Sequence, residues 1–348
     1  MRRMVLRAYG EPLEMDSAPV PIPGPGEALV EVLACGLCFS DIKTIRGRMP
    51  YSADLALPHV PGHEISGRVV ELNGAAGPAP GTRVVVFHNW GCQQCAACRS
   101  GLDNICRTPR AWVGFTHQGG FQEYLTVPAE YLLVVPDELS PVDACPLTCA
   151  IGTAYRAVVV RGRARPGERV VVLGLGGVGI HAAQIAQLSG TDTLGIDLDQ
   201  AKVDAARSVG VRSAGLIGDL ERLVHEQTAG SGADLVVETT GVPDLVEAAR
   251  RVSRAGSRIV TVGYRVGEQI AVQSDGFTLW EHELLGSRYG TRADITAGIR
   301  LVSDGLLRPV VSQVFALEEA NEAVRRLEQG NVTGRLVLSV RPEAGASS

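Results

Sequence analysis

The sequence predicts an α/β protein with two domains, one irregular and rich in β-strands, the other built on a doubly wound parallel sheet. The chain has 348 residues, which is more than one hydrophobic core usually serves. Its first 150 residues are rich in proline, glycine and short β-branched runs. From residue 151 onward, apolar runs alternate with helical patterns, as in a parallel sheet with helices on both faces.

The first domain is predicted to span residues 1–150. Its short runs of β-branched and apolar residues have the composition of strands, and the proline-rich segment 20–27 has that of a loop. The predicted strands are EALVEVLAC at 27–35, EISGRVVEL at 64–72 and TRVVVFH at 82–88.

The second domain is predicted to span residues 151–290, and residues 291–348 follow it. RVVVLGLGGVGIHAAQIAQLSG reads as a strand, a glycine turn and a helix that ends at Gly190. The other predicted strands are TDTLGID, ADLVVETTG, GSRIVTVGY and the closing GRLVLSV; the other predicted helices are DQAKVDAARSVG, PDLVEAARRVS and the amphipathic ALEEANEAVRRLEQG.

Composition excludes several classes of function. The net charge of −5 and the lack of a basic run argue against a nucleic-acid partner. No apolar run reaches the length of a membrane span, and the start MRRMVLRAYGEP lacks the apolar stretch of a secretion signal. We therefore expect a cytoplasmic protein without a membrane partner. Its eight cysteines should then be reduced thiols or metal ligands rather than disulfides.

The glycine turn predicts a dinucleotide site. Gly174, Gly176 and Gly179 form a G-x-G-x-x-G pattern that follows a predicted strand and opens a predicted helix. Glycines let the backbone approach a pyrophosphate at the helix N-terminus, and Gly177 and Val178 complete this loop. Asp197 ends the next strand, where its carboxylate would bind a ribose 2′-hydroxyl and repel a 2′-phosphate. The pattern therefore favours NAD over NADP.

Four cysteines in one short loop predict a structural zinc site. Cys92, Cys95, Cys98 and Cys106 lie in a lobe predicted at residues 90–107. Four soft ligands leave no coordination position open, which is typical of a closed tetrahedral site.

The other four cysteines predict a second metal site. A catalytic zinc takes about three protein ligands and keeps one position open. One cysteine of the pair Cys35 and Cys38, one of the pair Cys145 and Cys149, and His63 in the stretch GHE would supply this set. Spacing alone does not choose between the members of either pair.

These motifs also carry a family resemblance. CGLCFSD, GHE, the four-cysteine loop, CAIGTAY, GLGGVG and a terminal GR occur in this order. Over nearly its whole length the chain resembles the zinc-dependent medium-chain alcohol dehydrogenases, especially bacterial and archaeal ones of this length. The resemblance implies a GroES-like catalytic domain around a Rossmann domain, with residues 291–348 returning to the former. It also implies a homo-oligomer, either a dimer or a tetramer, that transfers a hydride between NAD(H) and an alcohol or carbonyl compound.

The resemblance assigns roles to individual residues. For the catalytic zinc it implies the ligands Cys38, His63 and Cys149, with Glu64 behind the metal. For proton transfer it implies Ser40 as the hydroxyl that takes the alcohol proton and Asp41 as the group that orients His63. For the cofactor it implies Lys202 at the adenosine ribose, Arg335 at the pyrophosphate, and the backbone near Val262 and Ser287 at the nicotinamide carboxamide.

Two residues depart from the family pattern. Phe39 stands where a histidine or arginine often reaches the cofactor phosphates, so we expect a weaker grip on NAD or another basic residue in that role. Lys43 stands where a histidine often ends the proton relay. An unperturbed lysine, with a pKa of about 10.4, is a poor proton acceptor. Lys43 therefore has a lowered pKa, leaves the relay to water, contacts phosphate, or is merely solvated.

The substrate pocket is predicted from aromatic residues. The resemblance places Trp112 at an aromatic wall, and Trp90 and Leu57 are further candidates. Two tryptophans favour a bulky, aromatic or alicyclic alcohol over ethanol. One alternative is a reductase of an activated C=C bond on the same fold, against which the complete zinc ligand set argues. Another is a non-catalytic sensor that binds NAD and zinc, against which the open zinc position and Ser40 argue.

Overall fold

The computed structural model describes residues 1–50, 55–74 and 76–341. The chain forms two compact units: the first contains Met1–Cys149, Thr291–Ile299 and the chain from Val311, and the second contains Ala150–Gly290 and Arg300–Val310. The piece Arg300–Val310 thus groups with the second unit, although it lies in the segment predicted to return to the first. Within the described part of the chain, none of the helices combines the length and the apolar character that crossing a membrane requires.

The regular elements are numbered in chain order. The strands are β1 Arg2–Val5, β2 Glu14–Ser17, β3 Glu27–Leu37, β4 Glu64–Leu72, β5 Arg83–Val86, β6 Asn89–Trp90, β7 Ala111–Trp112, β8 Tyr124–Pro128, β9 Leu132–Val134, β10 Arg169–Leu173, β11 Asp192–Asp197, β12 Ser213–Leu216, β13 Ala233–Glu238, β14 Ser253–Thr261, β15 Glu283–Gly286, β16 Val311–Ala316 and β17 Arg335–Ser339. The α-helices are α1 Phe39–Ile45, α2 Ala96–Arg99, α3 Pro141–Ala144, α4 Ala150–Tyr155, α5 Gly179–Leu188, α6 Gln200–Ser208, α7 Leu220–Thr228, α8 Pro243–Arg251, α9 Ser274–Thr278, α10 Arg292–Ser303 and α11 Ala320–Glu328. A π-helical stretch, Arg156–Arg161, continues α4, and short 3₁₀ helices occupy Asp103–Ile105, Ala129–Tyr131, Cys145–Leu147, Ile217–Asp219 and Leu317–Glu319.

The first unit is built on a sheet in which β3 is central. The strand order is β16-β17-β3-β4-β5-β9, and β8 also pairs with β3. Both β4 and β17 run antiparallel to β3, with Gly36 opposite Glu64 and Leu37 opposite Leu336. The C-terminal end of β3 therefore lies beside the N-terminal ends of β4 and β17. Residues that are far apart in sequence meet at this end of the three strands.

The second unit contains a six-stranded parallel sheet in the order β12-β11-β10-β13-β14-β15. The chain enters at β10 and winds outward in both directions, which is the strand order of a dinucleotide-binding Rossmann sheet. Strands such as β13, ADLVVE, are buried along their whole length, as expected where helices cover both faces. The predicted fold class, a doubly wound sheet with a GroES-like β-rich domain, is confirmed.

The predicted strands and helices occur at or near their expected positions. The segment predicted as a strand at 82–88 forms β5 only as far as Val86. The N–H of Phe87 still donates to the carbonyl of Tyr131, but Tyr131 belongs to a 3₁₀ helix and not to β9. Several elements were not predicted, among them β15, β16 and α10. The helix α10, RADITAGIRLVS, contains a glycine and several β-branched residues, which have low helix propensity.

His59 should make the protein less stable as the pH falls from about 6.5 to 4. It is 1% exposed and its Nε2 donates to the carbonyl of Gly114 at 3.0 Å. Burial lowers its pKa to about 4; His117 adds to the shift, and the Gly114 carbonyl and Asp41 oppose it. The unfolded chain therefore binds a proton that the folded chain excludes, and up to about 3 kcal/mol of stability is lost across this window.

Chemical denaturation at several pH values measures this effect. The free energy of unfolding of a His59→Gln variant should depend less steeply on pH between 4 and 6.5 than that of the wild type. A His225→Gln variant, which changes an exposed histidine, should keep the wild-type slope. Equal slopes in all three proteins would contradict the assignment.

Candidate active site

The four lobe cysteines lie at distances that fit a zinc ion. Their sulfur atoms are all within 4.8 Å of one another, with Cys92 and Cys98 4.0 Å apart and Cys95 and Cys106 3.9 Å apart. A tetrahedral site with Zn–S bonds of about 2.3 Å needs sulfur–sulfur distances of about 3.8 Å.

Backbone groups prepare these thiols for a metal. The N–H groups of Gln94 and Cys95 lower the pKa of Cys92 to about 6. Burial raises the pKa of Cys98 to about 12, so a metal is needed to deprotonate it at neutral pH. The lobe therefore has the ligand number, spacing and donor chemistry of the predicted structural zinc site.

A second cluster of possible metal ligands forms at the C-terminal end of β3, beside the start of β4. The ligand atoms of Cys38, His63, Glu64 and Cys149 lie within 4.8 Å of one another. Cys38 follows β3, and His63 and Glu64 meet it because β4 starts there. Cys149 directly precedes α4. The structure thus groups Cys38 and Cys149, rather than Cys35 and Cys145, with His63.

Gly36 leaves the space that the Glu64 carboxylate needs. A Cβ atom at Gly36 would lie 2.6 Å from Glu64 Oε2, which is closer than non-bonded atoms approach. A side chain at this position would displace Glu64 from the cluster. The glycine of CGLC is therefore required by a neighbour across the sheet and not by its own backbone conformation.

Asp41 fixes the orientation of His63. Its Oδ1 lies 3.0 Å from His63 Nδ1, and its Oδ2 accepts the backbone N–H of Cys38 at 2.8 Å. Both side chains are 0% exposed, and His63 Nε2 has no hydrogen-bonding partner in the described part of the chain. An imidazole held through Nδ1, with a bare buried Nε2 in a cluster of thiols, is suited to bind a metal.

Arg335 forms a buried ion pair with Glu64. Its Nε donates to Glu64 Oε1 at 2.9 Å and to Oε2 at 3.1 Å, and its Nη2 lies 3.8 Å from Cys38 Sγ. A hydrogen bond from Cys149 and the charge of Arg335 lower the pKa of Cys38, although its burial acts in the opposite direction. The structure therefore places Arg335 at the metal cluster, and its contact with a pyrophosphate stays a prediction.

The helix α1 carries the proposed proton relay. Ser40 Oγ lies 3.6 Å from Cys38 Sγ, so the hydroxyl stands at the edge of the metal cluster. Phe39 is 54% exposed, and Lys43, one turn later on the same helix face, is half-buried. Ser40 therefore lies at the metal cluster, and the role of Lys43 stays a prediction.

The glycine loop lies at the end of β10. At this strand the order of the second unit's sheet changes direction, with β11 and β12 on one side and β13, β14 and β15 on the other. A Cβ atom at Gly179 would lie 1.6 Å from the Gly174 carbonyl oxygen, so only glycine fits there. A Cβ atom at Gly176 would meet no other atom within 4 Å. The loop therefore keeps open space beside its backbone, as the approach of a pyrophosphate requires.

Asp197 lies next to this loop. It is 7% exposed, and its carboxylate accepts the N–H of Leu175 at 2.7 Å and that of Asp199 at 3.0 Å. These bonds use two of about four lone pairs, and the others can bind a ribose hydroxyl. The carboxylate is thus fixed against the glycine loop, as a cofactor contact needs.

The remaining cofactor candidates lie at the ends of the parallel strands or on a neighbouring helix. Val262 follows β14 and donates its N–H to the carbonyl of Glu238, and Ser287 follows β15 and donates to that of Thr261. The Ser287 hydroxyl is buried without a hydrogen-bonding partner among the described residues. Lys202 is half-buried on α6. Their assigned cofactor contacts stay predictions.

Of the predicted pocket residues, Trp90 has clear packing partners. It is 4% exposed, stacks on Tyr131 with ring centroids 5.9 Å apart and donates its indole N–H to the Phe87 carbonyl. Trp112 is half-buried in β7, and Leu57 is 37% exposed. Their place in a substrate pocket stays a prediction.

Two further residues with rings, Phe115 and His88, lie beside the metal cluster. The ring centroid of Phe115 is 4.7 Å from that of His63, and that of His88 is 5.3 Å from it in a T-shaped contact. Both are buried. His88 could have been suspected from its position directly after the apolar run at 84–87, where a buried histidine needs a reason.

Comparison with known proteins gives consistent matches. A family model for an alcohol dehydrogenase GroES-like domain matches residues 24–137, and one for a zinc-binding dehydrogenase matches residues 217–338. The chain is 32% identical over 347 residues to an alcohol dehydrogenase of Geobacillus stearothermophilus, covering 99% of this chain and 100% of the relative. It is 30% identical over 342 residues to a D-arabinose 1-dehydrogenase (NADP(+)) of Saccharolobus solfataricus, with 96% of each covered. A crystal structure of an NAD-dependent alcohol dehydrogenase superposes with a TM-score of 0.92 at 33% identity, covering 98% of this chain and 100% of that one.

Proposed function

Because the chain belongs to the zinc-dependent medium-chain alcohol dehydrogenases, we propose that it interconverts a bulky alcohol, alicyclic or aromatic, and its carbonyl compound. NAD and zinc are its cofactors. The main observation in support of this function is the buried cluster of Cys38, His63 and Cys149. In it, His63 Nε2 has no hydrogen-bonding partner among the described residues, and Ser40 lies at the edge of the cluster. Three such ligands leave a tetrahedral metal one position for substrate.

The cofactors supply the chemistry that side chains cannot: bound zinc draws electron density from the alcohol oxygen, and NAD accepts the hydride. The chain's own residues hold and move the proton. Ser40 takes the proton of the alcohol hydroxyl and passes it toward solvent. Asp41 keeps Nδ1 of His63 protonated, so that Nε2 carries the lone pair.

Arg335 and Glu64 control the charge around the thiolates. With zinc bound, two thiolates and the Glu64 carboxylate would carry three negative charges in a buried space, which the two charges of the ion and that of the Arg335 guanidinium would balance. Burial raises the pKa of Glu64, and the charge of Arg335 opposes this rise. The pair thereby keeps the carboxylate directed at the arginine, so that Cys38, His63 and Cys149 would hold the metal and an alcohol could take the remaining position.

Asp197 supports NAD as the coenzyme rather than NADP. A 2′-phosphate would stand next to a buried carboxylate already fixed by two backbone N–H groups. Like charges brought together in this way cost several kcal/mol, which corresponds to about a hundredfold or more in affinity. One relative is named for NADP(+) and D-arabinose, so the coenzyme and the substrate both need direct measurement.

The bulky substrate is supported by Trp112, which the family resemblance places at the pocket wall. Reduction of an activated C=C bond remains the second candidate on this fold, but nothing in the cluster favours it, because that reaction does not need the three zinc ligands. A dimer or tetramer is likewise proposed from the family alone.

NADH formation by the zinc-loaded protein tests this function. The alcohols are small primary, bulky secondary, alicyclic and aromatic members, each assayed with NAD and with NADP. We expect kcat/KM to be highest for the bulky and cyclic members and about a hundredfold higher with NAD. Highest activity on small primary alcohols would contradict the proposed pocket, and equal use of NADP would contradict the role of Asp197. No turnover by any alcohol would contradict the proposed activity.

A further inference from the structure

Asn89 is a buried amide without a hydrogen-bonding partner. Its side chain is 0% exposed, and neither Oδ1 nor Nδ2 is hydrogen-bonded to any group in the described part of the chain. An amide offers two donor hydrogens and an acceptor oxygen, and leaving them unpaired in a protein interior is costly. The amide is therefore satisfied by water or by a ligand.

The pairing of β6 with β7 sets Asn89 beside Trp112. The two residues are directly opposite in an antiparallel ladder. The neighbouring N–H of Val113 donates to the carbonyl of His88 at 3.0 Å, so Asn89 and Trp112 form the non-hydrogen-bonded pair next to it. In such a pair the Cα atoms are about 4.5 Å apart and the side chains leave the same face. The amide thus stands next to the indole assigned to the substrate wall.

The residue before Asn89 contacts the metal cluster. His88 is buried with its ring centroid 5.3 Å from that of His63, the histidine whose bare Nε2 faces the cluster. The residue after it, Trp90, packs instead on Tyr131. Within the stretch 88–90, His88 therefore lies at the metal ligands. Asn89, with its unsatisfied amide, is the next residue along the chain and precedes the four-cysteine lobe.

We propose that Asn89 binds a second oxygen of the substrate, which is therefore a bulky alcohol that carries a further hydroxyl or carbonyl group. This inference rests on the proposed function and narrows its substrate class. The Nδ2 hydrogens donate to the second oxygen, and Oδ1 accepts from it where it is a hydroxyl. A water held by the amide in the free protein leaves when that oxygen enters. A site built to bind a substrate hydroxyl rejects the analogue that lacks it more strongly than an apolar pocket rejects a change of size.

The test compares cyclohexanol with the cyclohexane-1,2-, 1,3- and 1,4-diols in NAD-dependent oxidation by the zinc-loaded protein. In the wild type, kcat/KM of the best diol should exceed that of cyclohexanol by about tenfold or more. In Asn89→Leu, which keeps the size and removes the polar atoms, this ratio should fall about tenfold. The melting temperature of the variant should equal or exceed that of the wild type, because replacing an unsatisfied buried amide by an apolar group removes a desolvation penalty.

Asn73→Leu is the matched control. It makes the same chemical change where the amide already donates to the carbonyl of Pro23 at 2.7 Å, so the ratio should stay that of the wild type. A wild type that oxidises cyclohexanol but prefers no diol would overturn this inference alone, as would an Asn89→Leu variant with a lower melting temperature and an unchanged ratio. Failure to oxidise any alcohol would overturn the proposed function and, with it, this inference.

Discussion

Replacing Cys38 by serine should remove one of two zinc ions and reduce alcohol turnover by roughly 10³-fold or more. The Cys38 sulfur belongs to the buried cluster with His63 and Cys149, and a serine hydroxyl does not supply a thiolate at neutral pH. The metal would be left with too few protein ligands to stay bound. Arg335 Nη2 would also lose the sulfur that it contacts at 3.8 Å. Metal analysis by mass spectrometry and NADH formation measure the two effects.

The control for this prediction is Cys35→Ser. Cys35 is only three residues away and 0% exposed, but its sulfur lies 3.7 Å from the carbonyl of Gly36 and outside the cluster. This variant should keep both zinc ions and turn over within about threefold of the wild type. If Cys35→Ser lost the metal and Cys38→Ser kept it, the assignment of the ligands would be reversed.

Replacing Cys98 by serine should lower the melting temperature by about 10 °C or more and also remove one zinc ion. The lobe between Cys92 and Cys106 contains only α2 and one 3₁₀ turn, and such short helices are not stable alone. A structural zinc supplies the folding free energy of such a loop directly. The sulfur–sulfur distances of 3.9 and 4.0 Å mean that little rearrangement is needed to bind it.

Cys145→Ser separates loss of a metal ligand from loss of a buried thiol. Cys145 is fully buried and donates to the carbonyl of Pro141 at 3.2 Å, a bond that a serine hydroxyl can also make. This variant should keep both zinc ions and melt within a few degrees of the wild type. The structural role of the lobe site would be wrong if Cys98→Ser melted like the wild type or kept its full zinc content.

Charge balance explains why Arg335 belongs with the metal cluster in this chain. A buried carboxylate next to two thiols is stable only beside a compensating cation, and Glu64 has one in Arg335. The two residues are 271 positions apart, and antiparallel pairing of β3 with β4 and β17 brings them together. If the Arg335 guanidinium also contacted the pyrophosphate, it would have to divide its hydrogen bonds between the pyrophosphate and Glu64. The predicted contact of Arg335 with the pyrophosphate is therefore the role that most needs a measurement.

Local patterns in the sequence were sufficient for three features of this protein. The four lobe cysteines all lie within residues 92–106, so their spacing alone brings them together. The glycine loop and Asp197 belong to one strand–helix–strand unit, whose geometry is fixed by short connections. The alternation of apolar strands with helices was likewise enough for the doubly wound sheet, because burial on both faces leaves a clear signal.

Only the tertiary structure decided the features that depend on distant pairing. The choice of Cys38 and Cys149 over their neighbours follows from where these two residues lie relative to His63 in the folded first unit, which spacing does not encode. The ion pair of Glu64 with Arg335 and the unsatisfied amide of Asn89 arise in the same way, since burial and hydrogen bonding are properties of the neighbours that the fold supplies. The short strand β15 carries too few residues for a periodic signal, so it too depends on the sheet beside it.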